Sequence, residues 1–405
     1  MKKLDTIKKS FSSGFEAQII LRHHFVKKFM GIIVDFGGSD PQKLAGGAHF
    51  LEHKLFAKKH GDISHRFEEL GANTNAFTSY NETMYFANFI DHSLQVTNLL
   101  FELVGTTYFT KENVQKEAEI IAQELAMYQE DPNWELQHQV LEMMFPQTNL
   151  ALDLTGTQQS LSEMTPQILQ EIYEEHYFAG NMKFVACGGF TKAEVREILE
   201  EVDKLQKKYL RPQSRPLPQI KPAISKEETQ LEIPAEVISA RVCIGIKLPD
   251  FKLFDSSNEL METIVEAYLE QNLGLMSKGF EKFQKDKLLN SPLAIKVNYT
   301  REGNFALISG MSPKPEELIE EIKKLIFNGK GDQALFEIQK KEYIAEMKRK
   351  LDQIEELAIE SAEMMLEKED LLKLVQRFGN LSFNDFANYY NEIVDKVEIF
   401  SAIMR

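Results

Sequence analysis

The pattern of apolar and polar positions divides the N-terminal part of the chain into short strands. Residues 17–25 and 29–36 are apolar and β-branched, and a Lys-Lys turn separates them, so two strands are predicted. Residues 73–80 and 83–86 predict a second pair, joined by a polar turn at positions 81–82. These runs indicate a sheet built from hairpins.

Other segments repeat apolar residues every three to four positions, which is typical of amphipathic helices. The clearest stripe, within residues 112–128, consists of Val114, Ala118, Ile121, Leu125 and Tyr128. Further helices are predicted at 63–70, 93–107, 166–177 and 191–210. A buried strand is predicted at 182–188, between the last two helices.

The second half of the chain repeats this coarse order after a Pro-rich polar stretch at 211–223, which predicts a linker. The predicted strands are 241–248, 293–299, 304–310 and 397–403. The predicted helices between them include 258–273 and 279–286. We therefore expect two α+β domains, at 1–210 and 224–405.

Composition places the chain among folded globular proteins. Its 405 residues are 43% hydrophobic and 27% charged, and the net charge of −15 argues against nucleic-acid binding. The basic N-terminus leads into no apolar signal segment, and no later run approaches 18 apolar residues, so we expect a cytoplasmic protein that does not insert into membranes. Cys187 and Cys243 lie in apolar strand-like runs and are predicted to be buried free thiols.

The stretch at 46–53 carries the first candidate chemistry, because two histidines stand four residues apart with a glutamate before the second. In a helix, His49, Glu52 and His53 share one face, where both imidazoles could reach one metal ion. A catalytic zinc takes three protein ligands and leaves a fourth position for water, so a third ligand is needed from elsewhere. Glu52 is the candidate general base.

Glu117 and Glu124 are interleaved with the apolar stripe of the 112–128 helix. Two carboxylates on a largely buried face are costly unless they are paired, hydrogen-bonded or bound to metal. Glu124 could therefore complete the zinc site, with Glu117 two turns earlier as a supporting carboxylate. The alternative is a pair of solvated glutamates at the edge of the helix.

The hairpin at 73–86 could offer a sheet edge to substrate. An extended peptide can add to an exposed strand, because backbone hydrogen bonds do not depend on side-chain identity. The alternative is an ordinary structural hairpin.

These motifs together resemble those of pitrilysin-family (inverzincin) zinc metallopeptidases, a family that includes the mitochondrial processing peptidases and many bacterial processing proteases. The family order is His-x-x-Glu-His, then Asn-Ala-Tyr/Phe-Thr, then two glutamates seven residues apart. This chain has His49 to His53, Asn75 to Thr78, and Glu117 to Glu124. Residues 177–182 are similar to a further family motif, with Ala179 in place of its proline.

The resemblance implies two related α+β domains, each an antiparallel-rich sheet packed against helices. It implies one zinc per chain, held by His49, His53 and Glu124. Glu52 would be the general base and Glu117 the supporting carboxylate. The substrate-binding strand would comprise Asn75, Ala76, Phe77 and Thr78. All nine histidines lie at or before His176, so only the first half can hold this zinc.

The expected function is zinc-dependent endopeptidase action on unfolded peptides or on precursor and leader peptides. One alternative is a maturation protease dedicated to a single modified peptide or pheromone. Another is a non-catalytic structural subunit of the same family, although the intact ligand set and base argue against it.

The resemblance also implies a partner. The family builds its chamber from two halves of two domains each, and 405 residues supply one half. The facing half is expected to complete the zinc site with an Arg and a Tyr seven residues apart. Neither residue type occurs at 280–290, where we expect them. We therefore expect a heterodimer with a homologous subunit that lacks the zinc motif, with a homodimer as the alternative.

Overall fold

The computed structural model describes residues 4–213, 217, 224–250, 257–289 and 291–405. Most of the stretch predicted as a linker, 211–223, lies outside the described residues. The chain forms two compact units, and neither is contiguous in sequence. The first unit comprises Met1–Leu125, Asp153–Gln219 and Glu346–Lys373. The second comprises Ala126–Leu152, Ile220–Ala345 and Leu374–Arg405.

The first unit contains a mixed sheet that is mostly antiparallel. The strands of the first unit are β1 (Asp5–Ser10), β2 (Glu16–Leu21), β3 (Lys28–Val34), β4 (Ala57–Lys58), β5 (Gly61–Asp62), β6 (Asn73–Thr78), β7 (Thr83–Phe89) and β8 (Met182–Gly188). The order in the main sheet is β1-β2-β8-β3-β7-β6, and β4 pairs separately with β5. Only β2 and β8 run parallel among the described pairs of this sheet. The strand β6 therefore forms one edge.

The second unit contains its own sheet, with order β11-β12-β10-β13-β9. Its strands are β9 (Gln230–Ile233), β10 (Arg241–Leu248), β11 (Ala294–Tyr299), β12 (Asn304–Met311) and β13 (Glu398–Met404). The strand β13 pairs antiparallel with β10 and parallel with the short β9. The prediction of an antiparallel-rich α+β fold is confirmed in both units.

Helices cover these sheets. In chain order they are α1 (Gly47–Phe56), α2 (Ser64–Glu68), α3 (Ser93–Gly105), α4 (Lys111–Gln129), α5 (Pro132–Met144), α6 (Gln158–Glu163), α7 (Pro166–His176), α8 (Lys192–Tyr209), α9 (Asn258–Leu273), α10 (Lys278–Lys285), α11 (Pro315–Asn328), α12 (Gln333–Lys350), α13 (Ile354–Leu366), α14 (Leu371–Asn380) and α15 (Phe383–Val394). None of the helices in the described residues is long and apolar enough to cross a membrane.

The compact units differ from the contiguous domains predicted at 1–210 and 224–405, because each unit takes helices from the other half of the sequence. In the first unit, α13 packs on β8 and β3 of the sheet. Its buried face includes Leu357, Ala358 and Ala362, none of which is exposed to solvent. In the second unit, α5 packs on β10 and β13. These contacts bury apolar surface between segments that are close in space but distant in sequence.

Candidate metal centre

The helix α1 is preceded by a glycine, Gly46, at a position that another residue could not easily occupy. Gly46 has φ +78°, a left-handed backbone conformation that favours glycine. A Cβ atom on Gly46 would lie 2.4 Å from the carbonyl oxygen of Thr155, so space is lacking as well. The glycine fixes where the helix begins, and through it the direction in which the histidines point.

Three side chains of α1 share the face predicted from their spacing. His49, Glu52 and His53 lie on it, and the two imidazole ring centroids are 4.6 Å apart. The opposite face packs into the first unit through apolar residues that are fully buried, including Phe50, Leu51 and Leu55. Burial of that face holds the polar face in a fixed orientation.

The helix α4 brings the two glutamates to the histidines. Its buried residues Val114, Ile121 and Leu125 fix its rotation. Seven residues are nearly two helical turns, so Glu117 and Glu124 both face α1. The Glu124 Oε2 atom lies 3.8 Å from His49 Nε2 and 3.7 Å from His53 Nε2.

His53 is held between both carboxylates. Its Nδ1 lies 3.2 Å from Glu117 Oε1, while its Nε2 faces Glu124. An ionised carboxylate can only accept, so Nδ1 donates the hydrogen bond to Glu117. This arrangement leaves the Nε2 lone pair of a neutral His53 directed at the point between His49 and Glu124.

The two histidines differ in their preference for the proton. Burial, followed by the charge of His53, lowers the pKa of His49 to about 4, so His49 is neutral at physiological pH. Burial alone would lower the pKa of His53 too, but its hydrogen bond to Glu117 and the charge of Glu52 outweigh burial and raise it. The Nδ1 atom of His49 is buried and has no hydrogen-bond partner among the described residues, whereas its Nε2 atom faces the Glu124 carboxylate.

The residues present fit a zinc ion. His49, His53 and Glu124 each offer one ligand atom, and the three atoms lie within 4.8 Å of one another. Zinc–ligand bonds of roughly 2.0–2.2 Å in a tetrahedron place ligand atoms about 3.3–3.5 Å apart, so a small inward movement of these side chains would suffice. Two imidazoles with one carboxylate are a set typical of catalytic zinc sites in proteases.

Glu52 lies beside this set, but it is not one of the three residues whose ligand atoms converge. The Thr78 hydroxyl donates a 2.6 Å hydrogen bond to Glu52 Oε2. Burial raises the pKa of Glu52, and the hydrogen bond from Thr78 and the charge of His53 offset only part of that rise. A carboxylate with a raised pKa suits a general base, because its affinity for a proton is closer to that required at neutral pH.

The predicted substrate strand lies at the sheet edge, where it packs against α1 and contacts Glu52. The strand β6, which contains residues 75–78, pairs with β7 on one side only in the described part of the chain. The backbone N–H of Ala76 donates to Asn75 Oδ1 at 2.9 Å, so it does not contribute to the β7 ladder. Thr78 turns its hydroxyl to Glu52, whereas Phe77 lies 6.4 Å from Phe86 between ring centroids.

Two roles at this site have no signal in the sequence. Thr78 was predicted only as part of a substrate strand, but its hydroxyl also contacts Glu52. Lys54 was not predicted to take part, but its ammonium donates to Glu117 Oε2 at 3.2 Å. Both contacts join residues that are distant in sequence, and helix or strand periodicity carries no information about them.

Comparison with known families gives two matches that together span most of the chain. The model of the insulinase peptidases, family M16, matches residues 25–158. The model of the M16 peptidase inactive domain matches residues 163–341.

Individual relatives agree with these matches. A Bacillus subtilis (strain 168) protein described as uncharacterized zinc protease YmfH is 29% identical over 334 residues, which is 78% of this chain and 76% of that protein. The fold is similar to that of a putative M16-like peptidase from Alicyclobacillus acidocaldarius, with a TM-score of 0.88, 21% identity and coverage of 100% and 99% of the two chains. A protease from Helicobacter pylori gives a TM-score of 0.82, 18% identity and full coverage of both chains.

Proposed function

The chain belongs to the M16 family of peptidases, and on this basis we propose that it is a zinc-dependent endopeptidase acting on unfolded peptides or on precursor and leader peptides. The observation that carries the proposal is the convergence of His49, His53 and Glu124, with Glu52 beside them on the face of α1. A purely structural subunit would not need these polar groups to converge at a partly buried site, where they are costly to desolvate.

His49, His53 and Glu124 would hold one zinc ion per chain. Bound zinc polarises a peptide carbonyl and lowers the pKa of a water molecule towards 7. The remaining roles belong to the protein. Glu52 accepts the proton of the attacking water and returns it to the leaving amine, and Thr78 keeps the Glu52 carboxylate in the orientation for that transfer.

The substrate is proposed to lie extended along Asn75 to Thr78. The outward N–H of Ala76 is a donor that a peptide backbone could use in place of the Asn75 side chain. Main-chain pairing at this edge would bring a peptide bond near Glu52 without selecting strongly for sequence. Such binding suits a range of unfolded peptides.

A homologous partner is part of the proposal. The stretch expected to supply an Arg and a Tyr, residues 280–290, contains neither residue type. We propose a heterodimer in which a related subunit without the zinc motif provides groups that stabilise the developing oxyanion. The homodimer is the alternative. The cytoplasmic location stays a prediction from the sequence.

Zinc content tests the ligand set directly. The purified parent chain supplied with zinc should contain about one zinc per chain, whereas Glu124→Ala should lose most of it because a ligand is missing. Glu119→Ala, which removes an exposed carboxylate from the same helix, is the matched control and should keep the zinc. A parent chain that stays zinc-free, or a Glu124→Ala chain that binds zinc as the parent does, would refute the assignment.

A further inference from the structure

Lys54 is a buried lysine next to a proposed metal ligand. It directly follows His53 on α1, and its side chain is only 3% exposed. A buried ammonium is costly unless a partner compensates its charge. In the described part of the chain, Glu117 Oε2 accepts a hydrogen bond from Lys54 Nζ at 3.2 Å.

Glu117 connects Lys54 to His53 through its two oxygens. The Oε2 atom faces Lys54 Nζ, and the Oε1 atom accepts from His53 Nδ1 at 3.2 Å. The carboxylate is itself mostly buried, with 17% of its side chain exposed. Two donors fix the plane of a carboxylate far better than one, because the second bond removes its rotation about the terminal torsion.

The charges around the site point to the same role. Glu52, Glu117 and Glu124 bring three carboxylates to one region of the first unit, and like charges this close repel one another. The two charges of a zinc ion and the single charge of Lys54 would neutralise them. Lys54 thus stabilises the ionised form of Glu117 from the side away from His53.

We propose that Lys54 is a positioning residue: its ammonium holds the Glu117 carboxylate against His53 Nδ1, so that His53 presents Nε2 for zinc. This inference rests on the proposed function, because it concerns the affinity of the same metal site. In the part of the chain that the structure describes, Lys54 Nζ has Glu117 as its hydrogen-bond partner. Its effect is transmitted through Glu117.

The test measures the zinc dissociation constant by chelator competition at fixed pH, and needs no activity assay. Lys54→Met keeps most of the side-chain volume but removes the charge and the donor, and should raise the zinc Kd about ten- to hundredfold. Lys58→Met is the matched control. Lys58 is also buried, but its Nζ donates to the backbone carbonyls of Leu103 and Thr106 at 2.7 and 2.6 Å, so its loss should leave the zinc Kd within about threefold of the parent.

A double-mutant cycle separates action through Glu117 from general disturbance. In a Glu117→Gln background, adding Lys54→Met should change the zinc Kd by less than about threefold, because the residue it acts through has already lost its charge. If Lys54→Met does not fold, as judged by circular dichroism, Lys54→Gln provides the same test. Its amide can still donate to Glu117, but it lacks the charge, and the zinc Kd should still rise about tenfold.

A folded Lys54→Met or Lys54→Gln chain with the zinc Kd of the parent would overturn the inference while leaving the proposed function intact. An equal rise in the parent and Glu117→Gln backgrounds would also overturn it, because Lys54 would then act by another route. A parent chain that binds no zinc would overturn the proposed function and this inference with it.

Discussion

At the scale of single residues, Glu52 is the group whose environment most affects the expected chemistry. Burial raises its pKa, and the Thr78 hydroxyl, by donating to its carboxylate, lowers it. The base must be ionised to accept a proton. With Glu52 as the proposed base, the hydrogen bond from Thr78 would therefore extend activity to lower pH than burial alone would allow.

Thr78→Val should move the acidic limb of the kcat/KM profile to higher pH. Loss of the hydroxyl removes a hydrogen bond that stabilises the charged form, so the pKa of Glu52 rises and the base becomes protonated at a higher pH. A hydrogen bond to a charged group contributes about 1.5–3 kcal/mol, so kcat/KM on the acidic limb should fall roughly tenfold or more. Zinc content should not change.

Thr74→Val is the control for that change. Thr74 lies on the same strand, and its hydroxyl donates to the backbone carbonyl of Phe86 at 2.9 Å. Its pH profile should match the parent. An unshifted acidic limb in Thr78→Val would mean that Thr78 does not act on the base.

The convergence of the candidate metal-binding residues could be predicted from sequence because their spacing follows helical periods. Spacings of four and seven residues put His49 with His53, and Glu117 with Glu124, on single helix faces. The resemblance then supplied the pairing of the two helices. Contacts such as Lys54 to Glu117 could not be predicted, since a lysine on an amphipathic helix is normally solvated.

At the scale of secondary-structure elements, β6 is the one on which the substrate proposal depends. Its pairing with β7 keeps the strand extended, and its other side is a sheet edge among the described strands. An edge of this kind can accept a further strand from a peptide.

Ala76→Pro should weaken catalysis without removing zinc. The N–H of Ala76 faces the Asn75 side chain and takes no part in the β7 ladder, so a proline here removes an outward donor while sparing the sheet. We expect kcat/KM for several unrelated peptides to fall roughly tenfold, measured under pseudo-first-order conditions, with unchanged zinc content. Ala76→Ser keeps the N–H and should behave as the parent. Equal kinetics for the two variants would show that the strand is only structural.

Most strands were predicted to within a few residues because their apolar patterns are strong, but no bounds were predicted for the helices α5, α6 and α11–α15. The strand β1, with sequence Asp-Thr-Ile-Lys-Lys-Ser, was missed because its composition is polar and its pairing with β2 decides its structure. The four-residue β9 was missed because it becomes a strand only beside β13. The position of α13 on the sheet of the first unit was not predicted either, because amphipathicity shows which face of a helix is buried but not what covers that face.

At the scale of the whole molecule, residues 1–210 do not include every segment of the first compact unit, because residues 346–373 also belong to it. The segment 346–373 covers part of the sheet that precedes it by more than 150 residues. Each compact unit therefore includes at least one segment from the other half of the sequence.

The partner proposal makes a prediction about activity in solution. The purified chain alone should bind zinc but cleave an unfolded reporter peptide at least about a hundredfold more slowly than a mixture with its homologous partner, because oxyanion-stabilising groups are missing. The control is the same mixture made with a Glu124→Ala chain, which should stay inactive. Full activity of the lone chain at low concentration would rule out an obligatory partner.

The most direct test of the account is a paired measurement of zinc content and peptide cleavage in Glu52→Gln. Glutamine retains the size of the side chain and its ability to accept from Thr78, but it cannot accept the proton of water. We expect about one zinc per chain, as in the parent, together with a loss of cleavage of at least roughly a hundredfold in the active assembly. A Glu52→Gln chain that cleaves as fast as the parent, or that loses its zinc, would contradict the assignment of Glu52 as the base and of His49, His53 and Glu124 as the ligands.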